Sequence, residues 1–456
     1  MNLKQAFKVI IIDGLSLIIG ILNGFFLPKI FSIDQYAFYK SYGLYIAYAG
    51  AFHFGFSDGI YIMLGGKKED EVDKKKIRGY FNILIKIELV VIIILLLLYF
   101  TIIREREFFL FLIYILPFQI VHFFKLYYRA IGKFDYYSLI QGILICLNFI
   151  STVIIIFYIK APIPYIIMQT IAYIVIAAFL SSKFCRSYVS AEKIKKEEIR
   201  YIIKLGLSVM IANLIGTLFF SLDRWFIKLL YTKEEFAYYS FAVSMMNIFM
   251  SLLSSLVILF YPYFSRNIDN ILIRRKIKLW LIMILSYAPI AYYILHLIIN
   301  TYISSYNRSI EIIGMLLLSI PFMGIINVVY SNLYKALKNV KTYLKTVVKM
   351  FFVASLLNTI AYLLLGDMIG IAIASLISFI IWYIYSSKDF AGLEIDLKEC
   401  TYYIIYIVVY FVLKMSNLNP LISLVIHLVI IVLTQAVLYG DELFALIKKM
   451  IFVFKH

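Results

Sequence analysis

The chain has 456 residues, 63% of them hydrophobic and 15% charged, with a mean hydropathy of +0.92. A soluble domain is about 45–50% apolar and about 25% charged, so this composition excludes an ordinary soluble enzyme, a disordered chain, a coiled coil and a disulfide scaffold. The formal net charge of +18 is read as basic residues that hold cytoplasmic loops in place, with no nucleic acid as partner.

A membrane-spanning helix needs about 20 apolar residues. The apolar runs here are continuous rather than alternating, which argues against a β-barrel. In chain order they predict 14 helices, at about 6–27, 37–62, 80–103, 108–129, 136–158, 163–184, 205–229, 236–262, 277–299, 310–334, 343–365, 367–386, 401–415 and 419–440. The thirteenth is short. Lys4 and Lys8 precede the first run, which contains Asp13 and has no clear small-residue cleavage site, so it is expected to be a retained helix rather than a signal peptide. The expected class is an all-α polytopic membrane protein with little mass outside the bilayer.

Charge counting tests the topology. Of the 44 Lys and Arg, 32 fall in the termini and the even-numbered gaps, 8 in the odd-numbered gaps and 4 inside helices. That alternation predicts a multi-pass protein with both termini in the cytoplasm. The long inner gaps are rich in Lys and Arg and contain no Walker sequence, so the chain has no ATPase engine of its own. Cys146 lies in an apolar run, and Cys185 and Cys400 lie in segments expected to be cytoplasmic, where thiols stay reduced.

Three weak matches recur at nearly one offset. Tyr36-Ala37-Phe38-Tyr39 and Phe236-Ala237-Tyr238-Tyr239 are 200 residues apart. Pro117-Phe118 and Pro321-Phe322 are 204 apart, and Tyr128-Arg129-Ala130-Ile131 and Tyr334-Lys335-Ala336-Leu337 are 206 apart. They suggest two pseudo-symmetric six-helix lobes, 1–200 and 201–398, with two further helices and a cytoplasmic tail at 399–456. Six helices per copy give both copies one orientation, as in transporters whose parallel repeats rock against each other. Pro117 and Pro321 are expected to bend their helices, either as static bends or as flexing points.

Polar residues inside hydrocarbon are costly, so their placement is informative. In the seventh helix Asn213, Thr217, Ser221, Arg224 and Lys228 are spaced 4, 4, 3 and 4, which puts them on one face. Ser240, Ser244, Asn247 and Ser251 repeat this in the eighth, with Ser254 or Ser255 next on that face. Asp13, Ser16, Gly20 and Asn23 form a stripe in the first helix. Lys40, Gly43, Ala47, Gly50 and Asp58 form one in the second. Four such faces suggest a central wet cavity. The plainer alternative is helix packing through small residues and hydroxyls. That alternative fits Arg224 poorly, because an unpaired cation in the membrane costs at least about 2.5–3.5 kcal/mol. Arg224 is the first candidate for an anionic ligand, with a buried ion pair as the competing role. Asp13, Asp58, Glu88 and Asp223 are candidate coupling-ion sites. No residue pattern points to catalysis, a metal or a cofactor.

The 6 + 6 + 2 arrangement, the segment from Gly55 through Phe56-Ser57-Asp58-Gly59-Ile60 to Gly65-Gly66-Lys67, the Asp223-Arg224 pair, and Tyr128-Arg129-Ala130-Ile131-Gly132-Lys133-Phe134 together resemble the bacterial polysaccharide flippases. These are the O-antigen and capsule-type members of the multidrug/oligosaccharidyl-lipid/polysaccharide exporter superfamily. The resemblance implies movement of an undecaprenyl-diphosphate-linked oligosaccharide across the plasma membrane by alternating access, coupled to an H+ or Na+ gradient. Membrane lipid and other polysaccharide assembly proteins are implied partners. A diphosphate is anionic, so Arg224 would hold it, with Lys40 and Lys228 as helpers. Asn23, Asn213, Thr217, Ser221, Ser244 and Asn247 would hydrogen-bond sugar hydroxyls, and the last two helices would form a groove for the lipid tail. A multidrug exporter of the same superfamily would want acidic residues in the cavity. A polysaccharide polymerase or ligase would need large outer loops, and a scaffold would not need buried charges.

Overall fold

The computed structural model describes residues 3–187, 190–266, 270–337, 339–416 and 418–455, without side chains at 3–10, 13, 252, 254–259, 261–263, 340 and 445–455. Every regular element among the described residues is helical. The order is α1 (Leu3–Ile30), α2 (Ile33–Ile46), α3 (Phe56–Leu64), α4 (Lys74–Leu98), α5 (Arg106–Ala130), α6 (Phe134–Ile154), α7 (Pro162–Ser187), α8 (Lys196–Leu230) and α9 (Lys233–Arg266). Then come α10 (Ile271–Leu285), α11 (Ile290–Tyr302), α12 (Ser309–Leu318), α13 (Ile320–Ile325), α14 (Ser331–Ala336), α15 (Val340–Leu364), α16 (Met368–Ser387), α17 (Leu397–Met415) and α18 (Pro420–Lys455).

Each expected span coincides with one helix or with a broken set. Among the described residues nine segments are long and apolar enough to cross a membrane, and ten when the bent run α12–α14 counts as one. The remaining expected spans are α1, α2 with α3, α9 and α17. The protein is a multi-pass α-helical membrane protein.

Three spans expected to be continuous are broken, and each break has a local cause. Between α2 and α3 the chain turns through Phe54 (φ +49°) and Gly55 (φ +79°). At the turn the carbonyl of Ala49 accepts a 3.3 Å bond from Phe52 N–H, and Gln119 of α5 adds a second through Nε2 at 2.8 Å. Between α10 and α11 the break ends at Pro289, which has no N–H to continue the ladder. There Tyr287 N–H turns to the carbonyl of Ile284, and the carbonyl of Met283 accepts instead from Gln435 Nε2 of α18 at 3.0 Å. The run from α12 to α13 bends by 45° at Ser319, two residues before Pro321. Pro117, by contrast, lies inside an uninterrupted α5. A carbonyl without a partner costs several kcal/mol in lipid, which is why Gln435 stands at the second of these breaks, while Gln119 reinforces the first.

By backbone proximity the chain divides inside α8, into Met1–Ser221 and Leu222–His456. In the first unit α3 and the opening half of α8 touch backbone to backbone. A Cβ added at Gly59 would collide with the carbonyl oxygen of Ile202, and one at Gly55 would stand 2.6 Å from Leu207 N. Gly206 is equally crowded by the backbone at Gly55 and Gly59. These three glycines permit an approach closed to any larger residue. The segment Gly55 to Gly59, singled out in the sequence, is therefore a packing surface. Glu198 at the start of α8 fastens this end, accepting from Tyr80 at 2.5 Å and lying 3.5 Å from Lys76 Nζ.

In the second unit the appended helices are pinned by a buried ion pair. Lys278 of α10 lies 2.9 Å from Glu399 in the first turn of α17, with both side chains almost inaccessible. Lys278 also donates to the carbonyl of Leu393 at 2.8 Å, and Tyr383 of α16 donates to Glu399. Arg275 and Asp396 repeat the link at the surface, at 2.9 Å. Lys278→Met would leave the Glu399 carboxylate buried and unpaired, at a cost of about 3–5 kcal/mol. The single variant is expected to lower the thermal unfolding midpoint in detergent strongly, and adding Glu399→Leu is expected to restore most of it. Equal loss in single and double variants would contradict this role.

Candidate functional site

The polar residues of the first unit form a closed knot where α1, α6 and α7 meet. Asn23 Nδ2 donates to the Tyr165 hydroxyl at 3.0 Å, and Thr152 Oγ1 donates to Asn23 Oδ1 at 3.0 Å. Tyr165 donates to Asn148 Oδ1 at 3.0 Å, and Gln169 Nε2 donates to the same oxygen at 3.3 Å. Asn148 and Thr152 are four apart on α6, as Tyr165 and Gln169 are on α7, so each pair shares a helix face. The ring of Tyr39 packs on that of Tyr165 at 5.7 Å. The Lys40 ammonium lies 5.1 Å from the Tyr36 ring and 5.4 Å from the Tyr39 ring, in cation–π contact. Asn23 and Lys40 thus belong to one neighbourhood, and both the nitrogen and the oxygen of the Asn23 amide are engaged within it.

The second unit repeats the plan with a charge. Asp223, 200 residues after Asn23, accepts from the hydroxyl of Tyr239 at 2.8 Å. Tyr239 stands 200 residues after Tyr39, and Ser375 of α16 also lies within hydrogen-bond reach of its hydroxyl. In each unit a tyrosine at the start of the second span packs on the end of the first and on the sixth. The internal repeat therefore extends to contacts. The other Asp223 oxygen accepts from the backbone N–H of Arg224 at 2.7 Å.

Arg224 is half-buried, and its Nε is shut away from solvent with no hydrogen-bond partner among the described residues. Its neighbour in sequence, Asp223, accepts from Tyr239 and also attracts the Arg224 charge. Lys228, one turn further on, lies 5.2 Å from the ring of Trp225. The hydroxyls of Thr217, Ser221 and Ser244 each donate to the carbonyl four residues earlier, at 3.0, 2.6 and 2.7 Å. Ser221 also meets Tyr48 at 2.5 Å. Asn213 and Asn247 are exposed.

The acidic candidates are scattered. Glu88 is fully buried in α4, and neither carboxylate oxygen has a partner among the described residues. Asp58 lies 3.8 Å from His53 Nε2. The Asp13 side chain, like those of Ser254 and Ser255, lies outside the described residues. Among the described residues no three His, Cys, Asp or Glu are grouped to hold a metal. The stripes of the first two helices of each lobe do not include Asn148, Thr152, Tyr165 and Gln169, and the repeat that contains Tyr239 gives it no site role. The i, i+4 spacing on α6 and α7 was the available signal.

Known structures share this all-helical membrane fold. The lipid II flippase MurJ, in an inward closed conformation, aligns over 97% of this chain and 100% of its own, at 17% identity and a TM-score of 0.70. The MATE multidrug transporter DinF-BH aligns over 86% and 96%, at 14% identity and 0.53. An inward-facing multidrug resistance MATE family transporter of the MOP superfamily aligns over 83% and 94%, at 14% and 0.51. None of the curated proteins matches the chain. The polysaccharide biosynthesis protein family matches residues 3–268, and the chain belongs to that family.

Arg224 is attracted to the neighbouring Asp223 carboxylate, but its Nε has no hydrogen bond to lose among the described residues. Arg224→Met is expected to leave the thermal midpoint in detergent nearly unchanged, because the cost of a cation in the membrane, about 2.5–3.5 kcal/mol, offsets that attraction. A marked drop would instead identify a structural ion pair.

Proposed function

We propose that the protein is a flippase that carries an undecaprenyl-diphosphate-linked oligosaccharide, a surface polysaccharide repeat unit, across the bacterial plasma membrane. The two lobes, 1–200 and 201–398, alternate access, with 399–456 as an accessory pair of helices and tail, and both termini are cytoplasmic. The observation that carries this reading is Arg224, a half-buried cation whose Nε has no partner among the described residues, in a chain of the polysaccharide biosynthesis family. A guanidinium in low dielectric attracts a diphosphate strongly and can grip it in bidentate fashion.

Lys40 and Lys228 add positive charge, and both rest on aromatic rings that hold them in place. Asn213 and Asn247 are free of burial and suited to sugar hydroxyls, with Thr217, Ser221 and Ser244 along the same stripes. Asn23 supports the site from inside its knot. The carrier is driven by an ion gradient, H+ or Na+, with Asp13, Asp58, Glu88 and Asp223 as the acidic groups available. The likeness to a protein named lipid II flippase supports a lipid-linked cargo. The cationic character of the α8 stripe disfavours a cation-drug exporter. The reading assigns no chemical step to the chain, which acts as a carrier and not as an enzyme.

Arg224→Ala is expected to abolish export of surface polysaccharide at normal protein level, while Arg224→Lys retains part of it. Normal export by the Ala variant would reject the assignment. Single cysteines placed at Lys74 and Lys193 are expected to react with an impermeant label only from the cytoplasmic side, and labelling from outside would overturn the topology.

A further inference from the structure

The break between α2 and α3 contains a group that the cargo site does not use. His53 is completely buried. Its Nδ1 accepts from the backbone N–H of Gly55 at 3.0 Å, so the ring is neutral here and carries its proton on Nε2. That Nε2 has no hydrogen-bond partner among the described residues and lies 3.8 Å from Asp58 Oδ2 of α3. On the other side the ring of His122 of α5 stacks at 5.7 Å, with Lys125 and Arg129 as the charged groups behind it. α4, which also packs on α5, carries Glu88. α8 meets the break through the backbone of Gly206 and Leu207, which does not titrate.

We propose that His53, with Asp58 and His122, is a proton-binding site whose occupation releases the contact between α3 and the opening half of α8. A proton from bulk water adds to the Nδ1 lone pair. The ring then presents N–H groups at both nitrogens, and the bond from Gly55 N–H is lost. The imidazolium instead draws Asp58 Oδ2 towards Nε2. Gly55 is also a glycine whose backbone presses on α8, so the amide that protonation releases belongs to the contact itself. His122 contributes the stacked ring that backs His53, and the proton is assigned to His53, whose Nδ1 is tied to the Gly55 amide. This deepens the proposed function, on which it rests for its purpose, by naming the coupling ion as a proton.

The test is backbone amide exchange on the intact chain in lipid nanodiscs, corrected for intrinsic rates, between pH 8 and pH 5. Protection at Gly55, along α3 and over residues 200–210 is expected to fall about tenfold or more on acidification. His53→Asn keeps an acceptor for Gly55 N–H but takes up no proton, and its protection is expected to be flat with pH. Asp58→Asn removes the charge that favours the imidazolium and is expected to move the midpoint to lower pH. A flat wild-type profile, a sloping profile in the His53→Asn variant, an unmoved midpoint in the Asp58→Asn variant, or release by sodium at constant pH would each overturn the proposal. No cargo enters this experiment. If surface polysaccharide proves independent of the protein while the exchange pattern holds, the flippase reading fails and the proton site stands.

Discussion

Every polar group that this chain places in lipid must find its partner inside the protein. That constraint explains more of the architecture than hydrophobicity does. Apolar runs are abundant enough to make spans almost anywhere. The specific contacts lie where the ladder breaks or a charge is buried. Gln119 reinforces the carbonyl of Ala49 at the α2–α3 turn, and Gln435 closes the one left open before Pro289. Lys278 and Glu399 neutralise each other where α17 joins its unit. The neutral knot around Asn23 ties three spans without any charge.

Against that background the exceptions carry functional meaning. A half-buried guanidinium with an unpartnered Nε, a buried carboxylate at Glu88 and a buried imidazole at His53 are each costly in a membrane. A structural cluster would have removed the cost, as the Lys278–Glu399 pair does. The proposed functions of Arg224 and His53 follow from that contrast. The first is suited to an anionic headgroup and the second to a proton. The two sit in different units and are assigned separately, so cargo binding and coupling need not share residues.

The internal repeat links sequence to site. At an offset of 200 the first unit has Asn23 and Tyr39, and the second has Asp223 and Tyr239. Both tyrosines bind the first and sixth spans of their own unit, but only the second unit puts a carboxylate there. Duplication preserved the packing plan while the charge diverged. The exchange of amide for carboxylate also moves the hydrogen bond, from Tyr165 of the sixth span in the first unit to Tyr239 of the second span in the other.

The sequence by itself determined the class and the approximate position of every span, because long apolar runs are local signals. It also located Arg224, since a cation in a 3.6-periodic polar stripe is conspicuous in lipid. Only the tertiary structure decided that the second, ninth and tenth spans are broken, that Gly55, Gly59 and Gly206 form a backbone contact, and that Asn23 is enclosed by Asn148, Thr152 and Tyr165. It alone paired Lys278 with Glu399, 121 positions apart. Those outcomes depend on which distant side chain reaches an open carbonyl or an unpaired charge. No periodicity along one helix encodes that partner.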